Sequence, residues 1–594
     1  MISDFRGLSL PEKYKPLVLL LVSGLMGAYI NIIYNSTYQI PIEPGQILAG
    51  IVKYQDYNLQ YIYMMKTWTI LNQISAILLS LGFNEITTSI ILVGLIGAVS
   101  LQALTMIIYA ISNNIVLSLT GPIFISLYWP DFSVAYPISY LQMSRHSFGL
   151  FGLVFVILII GLFSSGYLKL GSLLLGMAPA IHFTMGAWCF LLIMIVLLAN
   201  YEDTKSNIKK ISGFYLIGLI ISVSSFASYF LAAKGLLIFK QTGNQELIIN
   251  YIKYLDVHRR PINFLHPGFY LSLIGAIISW FVIHYQKTNG NGSSFFFKLF
   301  VINFILAAVL SISSHFPDTF LQLQLMMPGR FININIIMFL PMLLGLLGRE
   351  NNNLIDKINF SFLILGAVCL MIFFKPLSVQ QINMLGFINI NYMKIIFAIV
   401  MFSSIIYIAS ACSKNHLVKF SEKYTKIIAL LYRTGFIALL VVSLVILTKP
   451  LFEPYKGKFN IDPVYKTVSN EKGLLLLSTS LFDFVQLKTR RPILFNPYAV
   501  DGLPYAPETA PYLNHLLENI YGMSLRYPPE EKYRHQLFNL GLEKRLWERR
   551  RKADWLKIRQ EFGVQQILTK SDWRLDLPIV DRSPRFILYA IPDQ

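Results

Sequence analysis

The stretch IIALLYRTGFIALLVVSLVILT (427–448), followed directly by KPLFEPYKGKFNIDPVYKTVSNEKG (449–473), decides how the chain is read. The first segment is apolar and as long as the roughly 20 residues a helix needs to cross a bilayer; the second is polar and broken by prolines. Charge divides at the same place. Residues 449–594 hold 23 Lys/Arg and 17 Asp/Glu, 27% of that segment, whereas residues 1–448 hold 27 and 14, only 9%. The 594 residues are 55% hydrophobic and 14% charged, with mean hydropathy +0.56. Soluble domains carry about a quarter charged residues, so a water-soluble enzyme of this size is excluded, and the apolar content excludes disorder. The expected fold class is an α-helical polytopic membrane bundle (1–448) followed by a small C-terminal α/β soluble domain (449–594).

Upstream of 427, apolar runs predict twelve more spans: 16–34, 67–83, 87–111, 115–128, 148–166, 183–200, 212–233, 266–285, 295–314, 331–348, 358–375 and 393–411. The run 16–34 is too long for a signal-peptide core and reads as an uncleaved first span. LKLGSLLLGMAPAI (168–181) is short and ends near Pro179, so it is expected to be re-entrant or interfacial. With a cytoplasmic N-terminus, the basic loops 201–210, 286–298, 348–357 and 413–426 all fall inside, as the positive-inside rule asks. Thirteen spans then put the tail outside, and the expected location is the plasma (inner) membrane. The net charge of +19 fits basic loops that set orientation; no nucleic-acid partner is expected. Cys189, Cys369 and Cys412 match no metal or disulfide pattern.

In the tail, 473–480, 491–498, 564–570 and 585–591 read as strands, 508–522 and 530–561 as helices, and DWRLDLP as a turn. Arg549, Arg550, Arg551 and Lys552 suit either lipid phosphates or a solvated helix face paired with Glu543, Glu548 and Glu561. The chain has no P-loop, no GxGxxG after a strand, no HExxH and no GxSxG.

Chemistry is therefore sought among polar groups at the outer mouths of spans, where buried charge is costly. The first outer loop (34–68) holds Glu43 and Asp56 around an interfacial helix at 45–54. A carboxylate there can serve as general base or hold a divalent cation. Glu43 can equally cap that helix beside Pro44, and Asp56 can be a solvated turn residue. The loop 236–268 carries Asp256, His258, Arg259, Arg260 and His266; paired arginines suit phosphate, from a ligand or a lipid headgroup. His315, Asp318 and Arg330 surround a broken helix at 315–330, and Arg330 opens a span where its charge wants an anion. His182 also opens a span, either as a ligand contact or satisfied by backbone. Asp131, Arg145 and His146 fall in an inner loop on this topology.

The first-loop acids, the many spans and an outward α/β tail closing with EFGVQQILTKSDWRLDLPIVDRSPRFILYAIP (561–592) resemble the GT-C superfamily of membrane glycosyltransferases. Members place paired acids in the first outer loop; here Glu43 and Asp56 stand thirteen apart. The resemblance implies transfer of a sugar from a polyprenyl-phosphate-linked donor to a glycan or lipid acceptor on the outer face. Glu43, then Asp56 or Asp318, would be the base; Arg259, Arg260 and Arg330 would receive the departing phosphate, and His182 and His266 would contact sugar or phosphate. A polysaccharide polymerase or ligase, a lipid-linked glycan flippase and a non-catalytic envelope scaffold are the other expectations.

Overall fold

The computed structural model describes residues 14–35, 38–128, 134, 148–201, 205–232, 245–256, 259, 261–285, 291–316, 319–349, 459, 461–478, 484–527 and 540–593. The expected spans 358–375, 393–411 and 427–448, and the 448/449 boundary, lie outside them. The described chain is mostly helical, with one small sheet near the C-terminal end.

Six helices are long and apolar enough to cross a membrane. They are α1 (Lys15–Asn35), α5 (Glu85–Ser112), α10 (Ile208–Ala232), α12 (Pro267–Tyr285), α13 (Asn291–Ile312) and α15 (Gly329–Leu347). Between them run α2 (Ile42–Leu48), α3 (Leu59–Lys66), α4 (Ile70–Ser80), α6 (Ile115–Tyr128), α7 (Phe148–Ser164), α8 (Leu168–Ile181), α9 (Phe183–Ala199), α11 (Gln245–Asn250) and α14 (Leu321–Leu325). Helix α15 is sheathed on all sides, so nearly its whole length is buried. On α1, Leu17, Leu21, Leu25 and Tyr29 are exposed at a spacing of four, one stripe of a helix turned outward as toward lipid. Association rests on small residues. A Cβ on Gly27 would lie 2.2 Å from the Gly97 carbonyl oxygen, and one on Gly218 would lie 2.0 Å from that of Leu173. The α1–α5 and α8–α10 pairs thus approach at backbone distance, as small-residue packing allows where no hydrophobic drive exists.

Two segments depart from expectation. Residues 67–83 form only the 11-residue α4, and α4 does not reach the far side. Arg490 of the tail grips both carboxylate oxygens of Glu85 at 2.7 and 3.0 Å, and Gln46 of the first loop donates to Glu85 Oε1 at 3.0 Å. Glu85 is therefore on the face that α4 left, and Gly82, at φ +92°, turns the chain into α5 there. The short α8, expected to re-enter, instead runs from one face to the other. Its start follows Ser165, whose hydroxyl donates to Met106 O near the end of α5; its last residue, Ile181, accepts from Thr69 at the first-loop face. The two departures offset each other for α9 and the described helices that follow it. Between them the sides exchange. The 112–114 turn, expected outside, meets the C-terminal end of α15, where Arg349 donates to Ile111 O. Val134, in the loop expected inside, pairs through its backbone with Asn333 in the second turn of α15. Asp131, Arg145 and His146 themselves lie outside the described residues.

The tail comprises α16 (Val464–Asn470), β1 (Leu474–Leu477), α17 (Val485–Thr489), α18 (Ala510–Leu516), α19 (Leu540–Arg549), α20 (Lys552–Phe562), β2 (Val564–Lys570), β3 (Ile579–Arg582) and β4 (Phe586–Ala590). The sheet order is β1-β2-β4-β3, with β1 parallel to β2 and the other pairs antiparallel. Residues 491–498, expected as a strand, supply only an isolated bridge from Ile493 to Leu475, because the flanking Pro492 and Pro497 cannot donate to a ladder. The expected turn DWRLDLP (572–578) is followed by a further strand, β3, before the last one. The basic run behaves as a structural helix junction: Arg551 caps α20 and Arg550 lies over the Trp555 ring at 5.0 Å.

Candidate functional site

The first loop and the tail are joined by a dense seam. Asn58 caps α3 by accepting from Tyr61 N at 3.1 Å, which frees its amide to reach the carbonyls of Ile493 and Leu494. Gln60 accepts from Asn496 N at 2.9 Å. Tyr63 and Thr509 share a hydroxyl hydrogen bond of 2.7 Å, Lys66 pairs with Glu508, and Gly502 packs against the Tyr63 ring, where a Cβ would come within 2.6 Å. These contacts span more than 430 residues of sequence. They place the tail on the same face as the first loop.

Glu43 is 4% exposed in the first turn of α2, which is shorter than and displaced from the helix expected at 45–54. Gln486 of α17 donates to the Glu43 carbonyl oxygen at 3.1 Å and accepts from the Tyr54 hydroxyl at 2.8 Å. Burial is the main cause raising the Tyr54 phenol far above its usual range, with Glu43 adding to it. An acid in the first turn of a helix suits its dipole. Asp56 is exposed in the turn between α2 and α3.

His182 is the single residue between α8 and α9, in an extended conformation (φ −155°, ψ 107°) that lets it cap α9. Arg330, in the first turn of α15, brings Nη1 to 2.9 Å from His182 Nε2. A guanidinium only donates, so Nε2 faces Arg330 as the acceptor; Nδ1 lies 3.4 Å from Met185 N, the cap contact, and 3.3 Å from Thr184 Oγ1, and a neutral ring can accept at only one of its two nitrogens. Both side chains are at least nine-tenths buried. Helix α7 is thinned to admit them: a Cβ on Gly149 would meet Arg330 Nη1 at 2.9 Å, and one on Gly152 would meet His182 Cβ at 2.6 Å.

Arg259 is fully buried on Asp256, with Nη1–Oδ2 at 2.6 Å and its backbone N–H donating to Oδ1 at 3.2 Å. Its guanidinium lies over the Tyr505 ring of the tail at 5.8 Å. Alongside, Tyr251 donates to Asp501 at 3.0 Å. Among the described residues, Arg259 Nε and Nη2 are buried without a hydrogen-bond partner, which leaves two donors for an added acceptor. His315 donates to Ile262 O at 3.1 Å and Ser314 accepts from Ile262 N, so Ile262 is laced to the 313–315 segment. His266 accepts from Gly268 N at 3.1 Å, a helix-start contact. His258, Arg260 and Asp318 lie outside the described residues. The structure thus joins His182 to Arg330 and Ile262 to His315, and seats Glu43 on the tail. Among the described residues, no group of three His, Cys, Asp or Glu side chains could hold a metal ion.

Sequence reasoning missed the seam residues Tyr54, Asn58, Gln60, Tyr63 and Gln486. They are uncharged polar groups with no periodic signal, and only Asn58 at a helix start was locally legible.

No protein-family model matches the sequence, and no curated protein matches it. Among solved structures the chain is similar to the archaeal oligosaccharyltransferase AglB from Archaeoglobus fulgidus, in complex with an inhibitory peptide and a dolichol-phosphate. The identity is 10% and the TM-score 0.36, over 95% of this chain and 70% of that one. At that likeness no residue role is carried across.

Proposed function

We propose that the chain is a membrane glycosyltransferase of the GT-C type that moves a sugar from a polyprenyl-phosphate-linked donor to an acceptor on the face bearing the first loop and the tail. The observation that carries this reading is Arg330, buried on His182 in the first turn of α15 at that face. A cation there stands against the helix dipole and out of water, and its positive charge suits a group that carries negative charge to that face. In this reading Arg330 takes the departing lipid phosphate, with Arg259 and Arg260 as further cations. His182 then positions Arg330 in place of touching the sugar. Glu43 is the first choice for the base that takes the acceptor's proton, with Asp56 and Asp318 after it. Thirteen crossings, with the tail extracytoplasmic in the plasma (inner) membrane, complete the arrangement, and a divalent cation is compatible with the acids.

The test is transfer of labelled sugar from a polyprenyl-phosphate donor by the reconstituted full chain. Glu43→Gln and Arg330→Ala should each slow transfer by roughly a hundredfold or more while the protein remains inserted. Parent-level transfer in both variants overturns the assignment of roles; movement of donor across the bilayer without transfer makes the protein a carrier.

A further inference from the structure

A cavity of about 740 Å³ opens between the first loop and the tail; Glu43, Arg259 and Arg330 do not line it, and Asp56 lies in the loop that forms one wall. One wall is the 51–59 segment; the other is built from the end of α16, the start of β1, the 490–494 segment, α18 and the α20–β2 turn. Its volume falls within the roughly 300–1,000 Å³ of small-ligand sites.

The lining is one-sided in charge. Lys53, Lys472, Arg490 and Arg491 face a single acid, Glu471. Two of the four cations are already engaged. Arg491 donates to Gly473 O and Lys472 O, both at 2.9 Å, and so shapes the floor; Arg490 is held by Glu85. Lys53 and Lys472 are exposed and remain to meet a ligand. Between the cations lie the half-exposed Tyr57 (44%), the partly buried Tyr512 and the buried Phe562, with the amides of Gln55, Asn58 and Gln565 beside them. Gly473 keeps the mouth open: at φ +85° it adopts a backbone conformation that disfavours side chains, and a Cβ there would lie 2.0 Å from Gln565 Oε1. Flat apolar ring faces flanked by amides suit the C–H face and hydroxyl edge of a pyranose, and the surplus cations suit a carboxylate on it.

We propose that this cavity is a binding site for an acidic saccharide. Its lining does not include Glu43, Arg259 or Arg330, and binding is read without donor or transfer, so its failure and theirs are distinguishable.

The experiment is titration of the full-length protein, in nanodiscs of neutral lipid, with trigalacturonate, maltotriose and inorganic phosphate. Trigalacturonate should bind saturably with one site per chain and weaken as salt rises. Lys53→Glu with Lys472→Glu should weaken it by about tenfold or more, and Tyr57→Ala should weaken it while leaving any phosphate binding unchanged. All three side chains are exposed, so these variants retain the fold. Equal binding of maltotriose overturns the acidic specificity. Competition by phosphate at equal strength, with Tyr57→Ala silent, reduces the site to a plain anion patch and overturns the saccharide. Absence of saturable binding, or binding untouched by all three changes, overturns the site.

Discussion

The two buried cation contacts differ in what each residue is asked to bear. Arg259 has its charge balanced by Asp256 at 2.6 Å, and removing one member of such a buried pair is expected to cost about 3–5 kcal/mol. Arg259→Met should therefore lower unfolding stability of the detergent-solubilised protein by that amount, and Asp256→Asn in the same chain should recover part of it; an unchanged melting curve would show the pair to be solvated. Arg330 packs on the His182 imidazole, and the space for both is carved from α7. Gly152→Ala places a methyl 2.6 Å from His182 Cβ, a rigid atom, so overpacking of about 1–3 kcal/mol is expected. Gly213, whose Cβ meets nothing within 4 Å, is the control, since Gly213→Ala in a helix interior should be stabilising by about 0.5–1 kcal/mol.

At the scale of elements, sidedness is the sharpest consequence. The run 67–83 is apolar enough to be mistaken for a crossing, yet α4 gives only 11 residues, about 16 Å of helix, against a hydrocarbon core of about 30 Å. Helix α4 turns back at Gly82, and Asn84 caps α5 through Thr87 N at 2.8 Å. A membrane-impermeant maleimide is expected to label Asn84→Cys, in a chain stripped of its own cysteines, from the side that bears the tail, and Asn113→Cys from the opposite side. The reverse pattern would restore the crossing at 67–83. Helix α8 supplies the compensating passage, because Gly176 and Gly218 let it nest against α10 and a shorter apolar helix is tolerated where protein covers its ends.

For the whole molecule, the seam makes the tail part of the membrane unit. Most of its bonds are neutral and buried, so they resist salt; the Arg490–Glu85 pair, with Arg490 54% exposed, is worth at most about 1 kcal/mol and is screened. Hydrogen exchange should therefore show Glu85→Gln loosening the 485–494 segment slightly and only at low salt. Tyr63→Phe, which removes a buried hydrogen bond across the seam while Thr509 keeps its bond to Ala506 O, should cost about 1 kcal/mol at any salt and loosen the 497–509 segment. If both changes leave exchange in the tail untouched, the tail is not held by this seam.

The amino-acid sequence by itself determined the division into an apolar bundle and a charged tail, because transfer free energy is a sum over local composition. It determined most helix positions for the same reason, and the list of charged residues at helix mouths. Only the tertiary structure decided which apolar runs pass from face to face, since α4 and α8 differ in what covers their ends and not in hydropathy. It alone decided the partners: His182 meets Arg330 across 148 residues, and Gln486 meets Glu43 across 443. Contacts of that kind depend on packing geometry between helices, which no window of neighbouring residues encodes.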